Sequence, residues 1–440
     1  MNMTSLRQRI VIKELACGGA SDRKIAQQLE ISIATVRKWR RRSKGRKNAE
    51  LHSQMGRPVK GALSSFPQGL VETLRGWRKA HPGWGPTTLH VELEHNESYK
   101  GKRLPSESSI TRWLKQEDLA RSYEKHQELP KTCASPSEAC HEEWEMDARG
   151  QEKIPDIGVI ALINVNDVFS KAKIMSYPCW LGDQRASRHP TRQDYQTLLR
   201  LSFTEWGLPD RLAVDHDSVF FDNLSKSPFP THFHLWLVAL GIQLSFGRMG
   251  RPTDQAVTER SHQTWQHQVL DGQHFIQPSQ LFHILNERRQ WLNYLMPCVS
   301  LNKVPPLVAH PQAKTPRRRY RPEWEADLLD LSRVYAYLSQ GRWFRKGSSA
   351  GTVSLGTQVY YLGTAWKRAE VEITFDIQDL QLCFQTKSLD MRLPLRGITI
   401  PDLIGETSAL LHLNEFQPAL PFTRDQWLQL YSDQLLTGTT

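Results

Sequence analysis

The sequence is poor in cysteine. Its 440 residues include six cysteines, at positions 17, 133, 140, 179, 298 and 383, and no Cys-x-x-Cys pair occurs. This scatter argues against a disulfide framework and predicts reduced thiols that are buried or inert. Cys133, Cys140 and His141 are close in sequence, but their spacing does not fit a zinc knuckle and no second Cys/His pair follows. A structural zinc is therefore not expected there.

The sequence also lacks long apolar runs. No stretch approaches the length of a membrane span, and no charged-then-apolar signal opens the chain. Because a membrane-spanning helix needs about 20 consecutive apolar residues, no membrane partner is expected.

Acidic residues are fewer than basic ones. Lysine and arginine number 57 against 46 aspartates and glutamates, for a formal net charge of +11, and the pI is near 9.3. Cations that neutralise phosphates release condensed counterions, so the excess favours a polyanionic partner. Simple solubility is the alternative. We expect a cytoplasmic, nucleoid-associated protein of several domains, since 440 residues are too many for one core.

Three acidic residues lie in settings that could bring them together. Asp147 ends the run Trp144-Glu-Met-Asp147, Asp215 follows Leu212-Ala-Val214, and Glu259 lies one turn into a predicted helix. Carboxylates that converge from two strand ends and a helix, without a cysteine or histidine cluster, suit a hard cation such as Mg²⁺. Taken singly, an aspartate at a strand end is more often a solvated turn residue or a cap.

These segments resemble the DDE transposase and retroviral integrase superfamily. Trp144-Glu-Met-Asp147 resembles the stretch with the family's first acid, on the first strand of an RNase H-like sheet. Asp215-His-Asp-Ser-Val-Phe220 is similar to the signature Asp-Asn-Gly-Ser-Glu-Phe, and Arg251-Pro-Thr-Asp-Gln-Ala-Val-Thr-Glu259 resembles the segment with the glutamate. The resemblance implies that Asp147, Asp215 and Glu259 are catalytic and hold the metal.

The second acid departs from the family pattern in two ways. His216-Asp217 stands where the signature has Asn-Gly, so the usual tight turn is missing and Asp217 is a rival ligand. Positions 216 to 258, 43 residues, separate the second and third acids, which is more than usual in the family. We place the surplus in the loop from Phe221 to Pro230, because long surface loops cost little free energy.

The resemblance implies a two-metal phosphodiester chemistry. Asp147 is expected to bridge two Mg²⁺ ions, for which Mn²⁺ can substitute, while Asp215 holds one ion and Glu259 the other. The site would first hydrolyse the 3′ end of a mobile element with water. The freed 3′ hydroxyl would then attack target DNA, with no covalent protein intermediate.

Residues 6 to 42 have the pattern of a trihelical DNA-binding unit. Apolar residues at helix spacing mark a first helix, Ser21 or Asp22 caps a second, and Ser32 caps a third. Glu30 stands in the turn where many such units have glycine. The pattern resembles the helix-turn-helix of many transposases and repressors. A plain three-helix packing module is the alternative.

A second helical module is predicted from Gln68 to about Leu119. Its turn His81-Pro-Gly-Trp-Gly-Pro86 and its segment Leu104-Pro-Ser106 resemble the second helix-turn-helix of integrase-type transposases. The basic stretch between the two modules is expected to follow DNA phosphates, although a charge run is usually just solvated.

Candidate DNA contacts are outward-facing residues of both modules, of a glycine-rich loop at 247–252 and of a basic segment at 316–322. They are Thr35, Arg37, Lys38, Arg41, Arg57, Ser106, Ser108, Arg112, Arg248, Arg251, Arg317 and Arg318. Two DNA-binding modules in tandem would let one protomer contact a long terminal repeat of double-stranded DNA.

The order of predicted strands and helices between residues 142 and 310 indicates a mixed α/β sheet with helices on both faces. Farther on, period-two alternation predicts strands at 353–355, 358–362, 369–375 and 380–384. The family commonly has a small barrel there, and a passive packing domain is the alternative. The fold class is thus multidomain, with α-helical helix-turn-helix modules, an RNase H-like α/β catalytic core and a small C-terminal β-barrel.

The predicted boundaries follow from these patterns. They are a helix-turn-helix domain at 1–45, a basic linker at 46–62, a second helix-turn-helix-like domain at 63–120, a linker at 121–140, the integrase catalytic core at 141–310, a basic linker at 311–335, a small β-barrel at 336–395 and a C-terminal tail at 396–440. We expect the tail to contact a partner or another protomer.

The function predicted from the sequence is that of a DNA transposase. It binds element ends and target DNA as a homo-oligomer, and the sequence leaves open whether it needs the ATP-driven target-selecting partner of some family members. One alternative is an inactive or domesticated transposase that acts as a DNA-binding regulator. Another is a nuclease relative that cleaves and never joins.

Overall fold

The computed structural model describes residues 4–45, 51, 61–121, 137–183, 185–186, 188–215, 218–222, 227–246, 256–275 and 278–405, with backbone only at 256–259 and 278–279. The chain divides into two compact units. One comprises Met1–Pro67 with Ser108–Ala120, and the other comprises Gln68–Glu107 with Arg121–Thr440. Among the described helices, none combines the length and apolarity needed to cross a membrane.

The first unit contains three short helices that begin at serines. They are α1 (Leu6–Cys17), α2 (Asp22–Gln28) and α3 (Ile33–Ser43). Ser5, Ser21 and Ser32 each accept a hydrogen bond from a backbone amide of the first turn, the usual N-cap arrangement. The buried residues Ile12 and Val36 lie in the core between the helices, as the sequence pattern predicts.

The same unit includes most of α6 (Glu107–Gln116). Ile110, Trp113 and Leu114 are buried at helix spacing. The amide of Ala62 donates to Oε1 of Gln116 at 2.8 Å, so the segment before α4 is tied to the end of α6.

The second unit begins with α4 (Gln68–Ala80) and α5 (Pro86–His95) and is built on a five-stranded sheet. The strands are β1 (Glu143–Ile154), β2 (Gly158–Asp167), β3 (Lys173–Gly182), β4 (Arg211–Val214) and β5 (Gln243–Phe246), in the order β3-β2-β1-β4-β5. The first three strands are antiparallel, and β4 and β5 run parallel to β1. The predicted mixed sheet is confirmed.

Helices cover both faces of this sheet because β2 is apolar on both sides. Ala161 and Ile163 face the cluster formed with α7 (Arg192–Trp206) and α8 (His232–Ala239). Ile160 and Leu162 face the cluster formed with α9 (Ala256–Trp265), the π-helical turn Gln266–Leu270 and α10 (Pro278–Tyr294). A strand buried on both faces reads as a continuous apolar run, which is how the sequence reveals it.

The segment expected as a basic linker at 311–335 packs onto the core instead. It contains α12 (Glu325–Leu328) and leads into α13 (Leu331–Ser339), after the short α11 (Pro306–Ala309). Tyr320 and Glu325 are buried. The prediction assumed that a basic segment is exposed to solvent. Arg317 and Arg318 of this segment instead bind acceptors within the protein.

The C-terminal strands form an open sheet and a separate hairpin. They are β6 (Arg342–Lys346), β7 (Thr352–Leu355), β8 (Gln358–Tyr361), β9 (Glu370–Asp376), β10 (Gln381–Gln385) and β11 (Asp390–Pro394), followed by α14 (Ile400–Ile404). The order β11-β10-β9-β6 and the isolated pair β7-β8 leave no closed ring of pairings in the described strands. The small β domain is present, but the predicted barrel closure is not confirmed.

The cysteines differ in their exposure to solvent. The described cysteines are all free: Cys140, Cys179 and Cys383 are buried, Cys298 is half-buried and Cys17 is exposed. Burial raises the pKa of Cys140 to about 11, which keeps this thiol protonated at neutral pH. Cys133 and the tail beyond residue 405 lie outside the described residues.

Candidate active site

Two of the three predicted acids lie on adjacent parallel strands, although Asp147 is inside β1 rather than at its predicted end. Asp147 is in β1 and Asp215 directly follows β4. In the parallel pairing of β1 with β4, Glu143 lies opposite Arg211 and Glu145 lies opposite Ala213. If the same register is extended by two residues, Asp147 lies opposite Asp215. Adjacent strands are about 4.8 Å apart, so the backbones of the two acids are neighbours.

Asp147 is partly buried and already engaged. Its Oδ1 accepts a hydrogen bond from the amide of Ala148 at 2.8 Å. Its Oδ2 lies 3.7 Å from Nε2 of His262, and its side chain is 18% exposed. Half-burial of this kind leaves a carboxylate accessible while limiting the number of orientations it takes.

Helix α9 brings the segment of the third acid to the same strands. Glu259 belongs to α9, which packs against β1 and β2. His262 follows one turn later on the same helix and reaches Asp147, and residues three apart share a helix face. The structure thus places the backbone of Glu259 on the side of α9 that approaches Asp147.

His262 is a site residue that sequence reasoning did not single out. It lies within the matched stretch Glu259-Arg-Ser-His262, and its spacing from the glutamate was the available signal. A lone histidine on a helix is more often a core residue than a functional one, so the pattern alone did not decide the matter.

Two buried polar pairs each include a residue of β2, the strand next to Asp147. Asn164 pairs with Asp147 in the β1–β2 register and accepts a 2.6 Å hydrogen bond from Ser176. One step along, Asn166 accepts from Ser261 of α9 at 3.2 Å. A strand core normally excludes such residues, so we interpret them as anchors that fix α9 over β1.

Lys173 joins this polar layer at the start of β3. Its Nζ donates to Oγ of Ser261 at 3.1 Å. Burial lowers the pKa of Lys173 to about 8. The amide and carbonyl of the same residue are bonded by the side chain of Asn293 in α10, so the lysine is held from two sides.

The segment after Asp215 is anchored on the C-terminal β domain. Thr231 bonds to the carbonyls of Val219 and Phe220. Asp222 forms an ion pair with Arg345 of β6 at 3.1 Å and accepts from the amide of Gly356 at 3.1 Å. The loop predicted to contain the surplus residues therefore touches the β domain with its first residues.

Several predicted site residues lie outside the described residues. Asp217 is among them, so the choice between Asp215 and Asp217 as second acid stays a prediction, although Asp215 is the one in register with Asp147. The others are Arg57, Arg248, Arg251 and the side chain of Glu259.

The DNA contacts predicted for the first helical module lie on α3. Arg37, Lys38 and Arg41 are exposed, and Thr35 is half-buried. Arg37 forms an ion pair with Asp22 at 3.4 Å while its side chain stays 73% exposed. A pair this exposed contributes little stability, so the guanidinium can exchange to another anion.

The other predicted DNA-contact residues differ in whether their side chains are exposed or already bonded within the protein. Ser106, Ser108 and Arg112 are exposed at the start of α6. Arg317 pairs with Asp210 at 3.0 Å. Arg318 donates to the carbonyls of Leu240, at 2.9 Å, and Pro209. Their expected role as DNA contacts stays untested, and both first serve to hold the 311–335 segment.

The donor set fits a hard divalent cation. Asp147 in β1 and Asp215 directly after β4 offer carboxylate oxygens, the ligand type that Mg²⁺ prefers. The described side chains contain no group of three or more metal-ligating residues, and the side chain of Glu259 is not among them.

Two family models match the chain. A homeodomain-like domain matches residues 3–49, which include α1 to α3. An integrase core domain matches residues 240–306, which contain β5, α9 with Glu259, and α10. These two matches support the resemblance to the DDE transposase and integrase superfamily with an N-terminal helix-turn-helix. Neither matched range includes Asp147 or Asp215.

Solved retroviral integrases are also similar to this chain, with low TM-scores. The HTLV-2 integrase catalytic core, solved in complex with magnesium, is 16% identical, covers 39% of this chain and 97% of its own, and has a TM-score of 0.29. A simian T-cell lymphotropic virus intasome, in complex with the PP2A regulatory subunit B56 gamma, is 12% identical over 71% of this chain and 97% of its own, with a TM-score of 0.33. The BIV integrase core is 13% identical over 40% and 96%, with a TM-score of 0.28. None of these matches supports an ATP-driven partner.

Proposed function

We propose that this chain is a transposase that cleaves the 3′ ends of a mobile DNA element and joins them to target DNA. The observation that supports the proposal is the parallel pairing of β1 and β4, which when continued brings the backbones of Asp147 and Asp215 together, with the backbone of Glu259 on α9. Neighbouring carboxylates repel each other unless a cation lies between them.

In the proposed reaction, Asp147, Asp215 and Glu259 hold the metal and fix its place relative to the sheet. Two Mg²⁺ ions bound there would neutralise charge at the phosphorus and activate the attacking oxygen, and Mn²⁺ can substitute. His262 restrains Asp147 from the α9 side. The attacking oxygen is first that of water and then the 3′ hydroxyl of the cleaved end, so no side chain forms a covalent intermediate.

We further propose that α1 to α3 read the element ends and that at least two protomers act on paired ends. Exposed Arg37, Lys38 and Arg41 supply the cations for binding. A helix-turn-helix domain at 1–45, a catalytic core at 141–310 and a location on the nucleoid in the cytoplasm belong to the same proposal. Inverted repeats on either side of the gene are the substrate that this proposal predicts.

The test is cleavage of labelled DNA that carries these flanking repeats, in Mg²⁺. We expect Asp147→Asn, Asp215→Asn and Glu259→Gln to abolish cleavage and joining while DNA binding stays near normal. Loss of a metal ligand removes charge stabilisation of several kcal/mol in the transition state. Asp156→Asn is the matched control. It removes one charge from the exposed β1–β2 turn, where the left-handed backbone accepts asparagine.

Each other outcome points to a different function. A wild-type chain that binds the repeats without cutting would be a regulator, and one that cuts without joining would be a nuclease. If Asp217→Asn is inactive while Asp215→Asn is active, in folded protein that binds DNA, the second acid is Asp217.

A further inference from the structure

The turn between α4 and α5 is partly buried and held by several contacts. Trp84 in this turn is 8% exposed and stacks on His81 at a centroid distance of 3.8 Å. Arg78 of α4 donates to the carbonyl of Trp84 at 2.8 Å. The sequence suggested that this turn belongs to a DNA-reading module, but its aromatic ring does not face solvent.

The turn docks on the residues that directly follow α9. Trp84 Nε1 donates to the carbonyl of Gln268 at 3.2 Å, and Gln268 donates to Oγ1 of Thr88 in α5 at 3.0 Å. Gln273 donates to the carbonyl of Ala80 at 2.6 Å. Because Gln268 lies within the π-helical turn Gln266–Leu270, α4 and α5 clamp the point where α9 ends.

Arg288 of α10 completes the junction. Its guanidinium lies 4.6 Å from the ring centroid of Trp84 and donates to Oε1 of Gln268 at 2.6 Å. It also pairs with Glu92 of α5 at 2.5 Å. With only 10% of the side chain exposed, this arginine ties α5, α10 and the π-helical turn together.

The clamp matters because it holds the C-terminal end of α9, whereas the contacts of Ser261 with Asn166 and Lys173 hold its middle. Helix α9 is a ten-residue helix, and helices this short rely on tertiary packing for their stability. A π-helical turn interrupts the regular ladder of hydrogen bonds, so the helix can shift in register there unless contacts hold it.

We propose that the α4–α5 turn is a positioning element for the metal site, with Trp84 and Gln268 as positioning residues that set where α9 places Glu259. The inference rests on the proposed function for its catalytic consequence. The docking itself does not.

The sharpest test inserts one methyl group into the docked surface. A Cβ at Gly83 would overlap the backbone of His267, with His267 Cα at 2.5 Å, whereas a Cβ at Gly85 meets nothing within 4 Å. Gly83→Ala and Gly85→Ala are therefore matched variants in the same turn, since Gly85 also has an ordinary negative φ.

The first measurement is amide hydrogen exchange in the full chain. In Gly83→Ala the amides of residues 258–270 should exchange about tenfold faster than in the wild type, because overpacking separates the two surfaces. Gly85→Ala should match the wild type. Unchanged exchange in Gly83→Ala would show that the docking is absent and would overturn the inference.

The second measurement is the Mg²⁺ concentration that gives half-maximal cleavage. It should rise about tenfold in Gly83→Ala, with the rate largely restored at saturating metal, because a displaced Glu259 weakens metal binding more than chemistry. Faster exchange with an unchanged Mg²⁺ requirement would overturn the positioning role. A wild-type chain that never cleaves would overturn the proposed function, and the exchange result would still decide the docking.

Trp84→Phe is a second variant for the case in which Gly83→Ala does not fold. Phenylalanine keeps the ring between His81 and Arg288 but loses the donor to Gln268. Both readouts should fall between those of the wild type and Gly83→Ala. Wild-type values of both would overturn the role of that hydrogen bond.

Discussion

At the scale of single residues, Glu30 shows how the helix-turn-helix tolerates the loss of a glycine. Its φ is +51°, the left-handed conformation that glycine favours. A non-glycine residue pays about 1 kcal/mol for that conformation. The turn between α2 and α3 therefore keeps its shape because the packing of α1 to α3 enforces it.

Glu30→Gly should accordingly stabilise the helices α1 to α3 by about 0.5 to 1 kcal/mol. The measurement is hydrogen exchange of the buried amides of α2 and α3 in the full chain. Glu14→Gly, at an exposed position inside α1, is the control and should destabilise by about 1 kcal/mol. Equal loss in both variants would contradict the strain at position 30.

His234 provides a second prediction at this scale. It is buried in α8 between Phe221 and Tyr337, and burial lowers its pKa to about 4. The unfolded chain thus binds more protons than the folded one between pH 6.5 and 4, so stability is full above pH 6.5 and falls as pH drops through that window.

The expected loss from His234 is at most about 3 kcal/mol by pH 4, given 1.36 kcal/mol per pKa unit. His234→Leu should remove that part of the pH dependence, as measured by urea unfolding at pH 7 and pH 4.5. An identical pH dependence in the variant would contradict a neutral buried imidazole.

At the scale of elements, residue pattern predicted most strands, including the poorly buried β5 and β8, and missed β6, β11 and the second half of β1. Runs such as Val159–Val165 identified β2, whereas the second half of β1, with Arg149 and Gln151, is polar and bulged. The polar layer of Asn164, Asn166 and Lys173 beneath α9 depends on pairings across the sheet, which periodicity along one strand does not reveal.

The buried pair Arg200–Glu325 joins α7 to the segment once expected as a linker. Arg200 donates to both carboxylate oxygens, at 2.8 and 2.6 Å, and Trp236 donates to the same carboxylate at 2.8 Å. Glu325→Ala should destabilise the second unit by about 3 to 5 kcal/mol, because it leaves a buried guanidinium unpaired.

Unfolding in urea measures this loss, with Glu323→Ala as the exposed control two residues earlier. The control should stay within about 0.5 kcal/mol of the wild type. Arg200→Met combined with Glu325→Gln should recover part of the stability, since it removes both buried charges while the amide oxygen still accepts from Trp236. A double variant as unstable as Glu325→Ala would show that the loss comes from packing rather than charge.

At the scale of the whole molecule, the sequence predicted which modules exist but not which of them pack together. Trp84 and Gln268 are 184 positions apart, and no local pattern links them. The apolar core likewise continues from Trp144 in the sheet to Ile373 in the C-terminal β domain. Contacts of this range depend on shape, which the composition of either partner does not specify.

The last prediction concerns the number of protomers that act together. Each core offers one set of acids, and a transposition event must process two ends, so concerted joining should need two active protomers. If wild-type and Asp215→Asn chains mix at random in a complex of two active positions, an equal mixture should retain about one quarter of the joining activity.

The measurement is joining of paired repeat DNA at fixed total protein, with cleavage of single ends followed in parallel. Single-end cleavage should fall only in proportion to the wild-type fraction. A linear fall in concerted joining as well would mean that one protomer processes both ends, and the proposed assembly would be wrong.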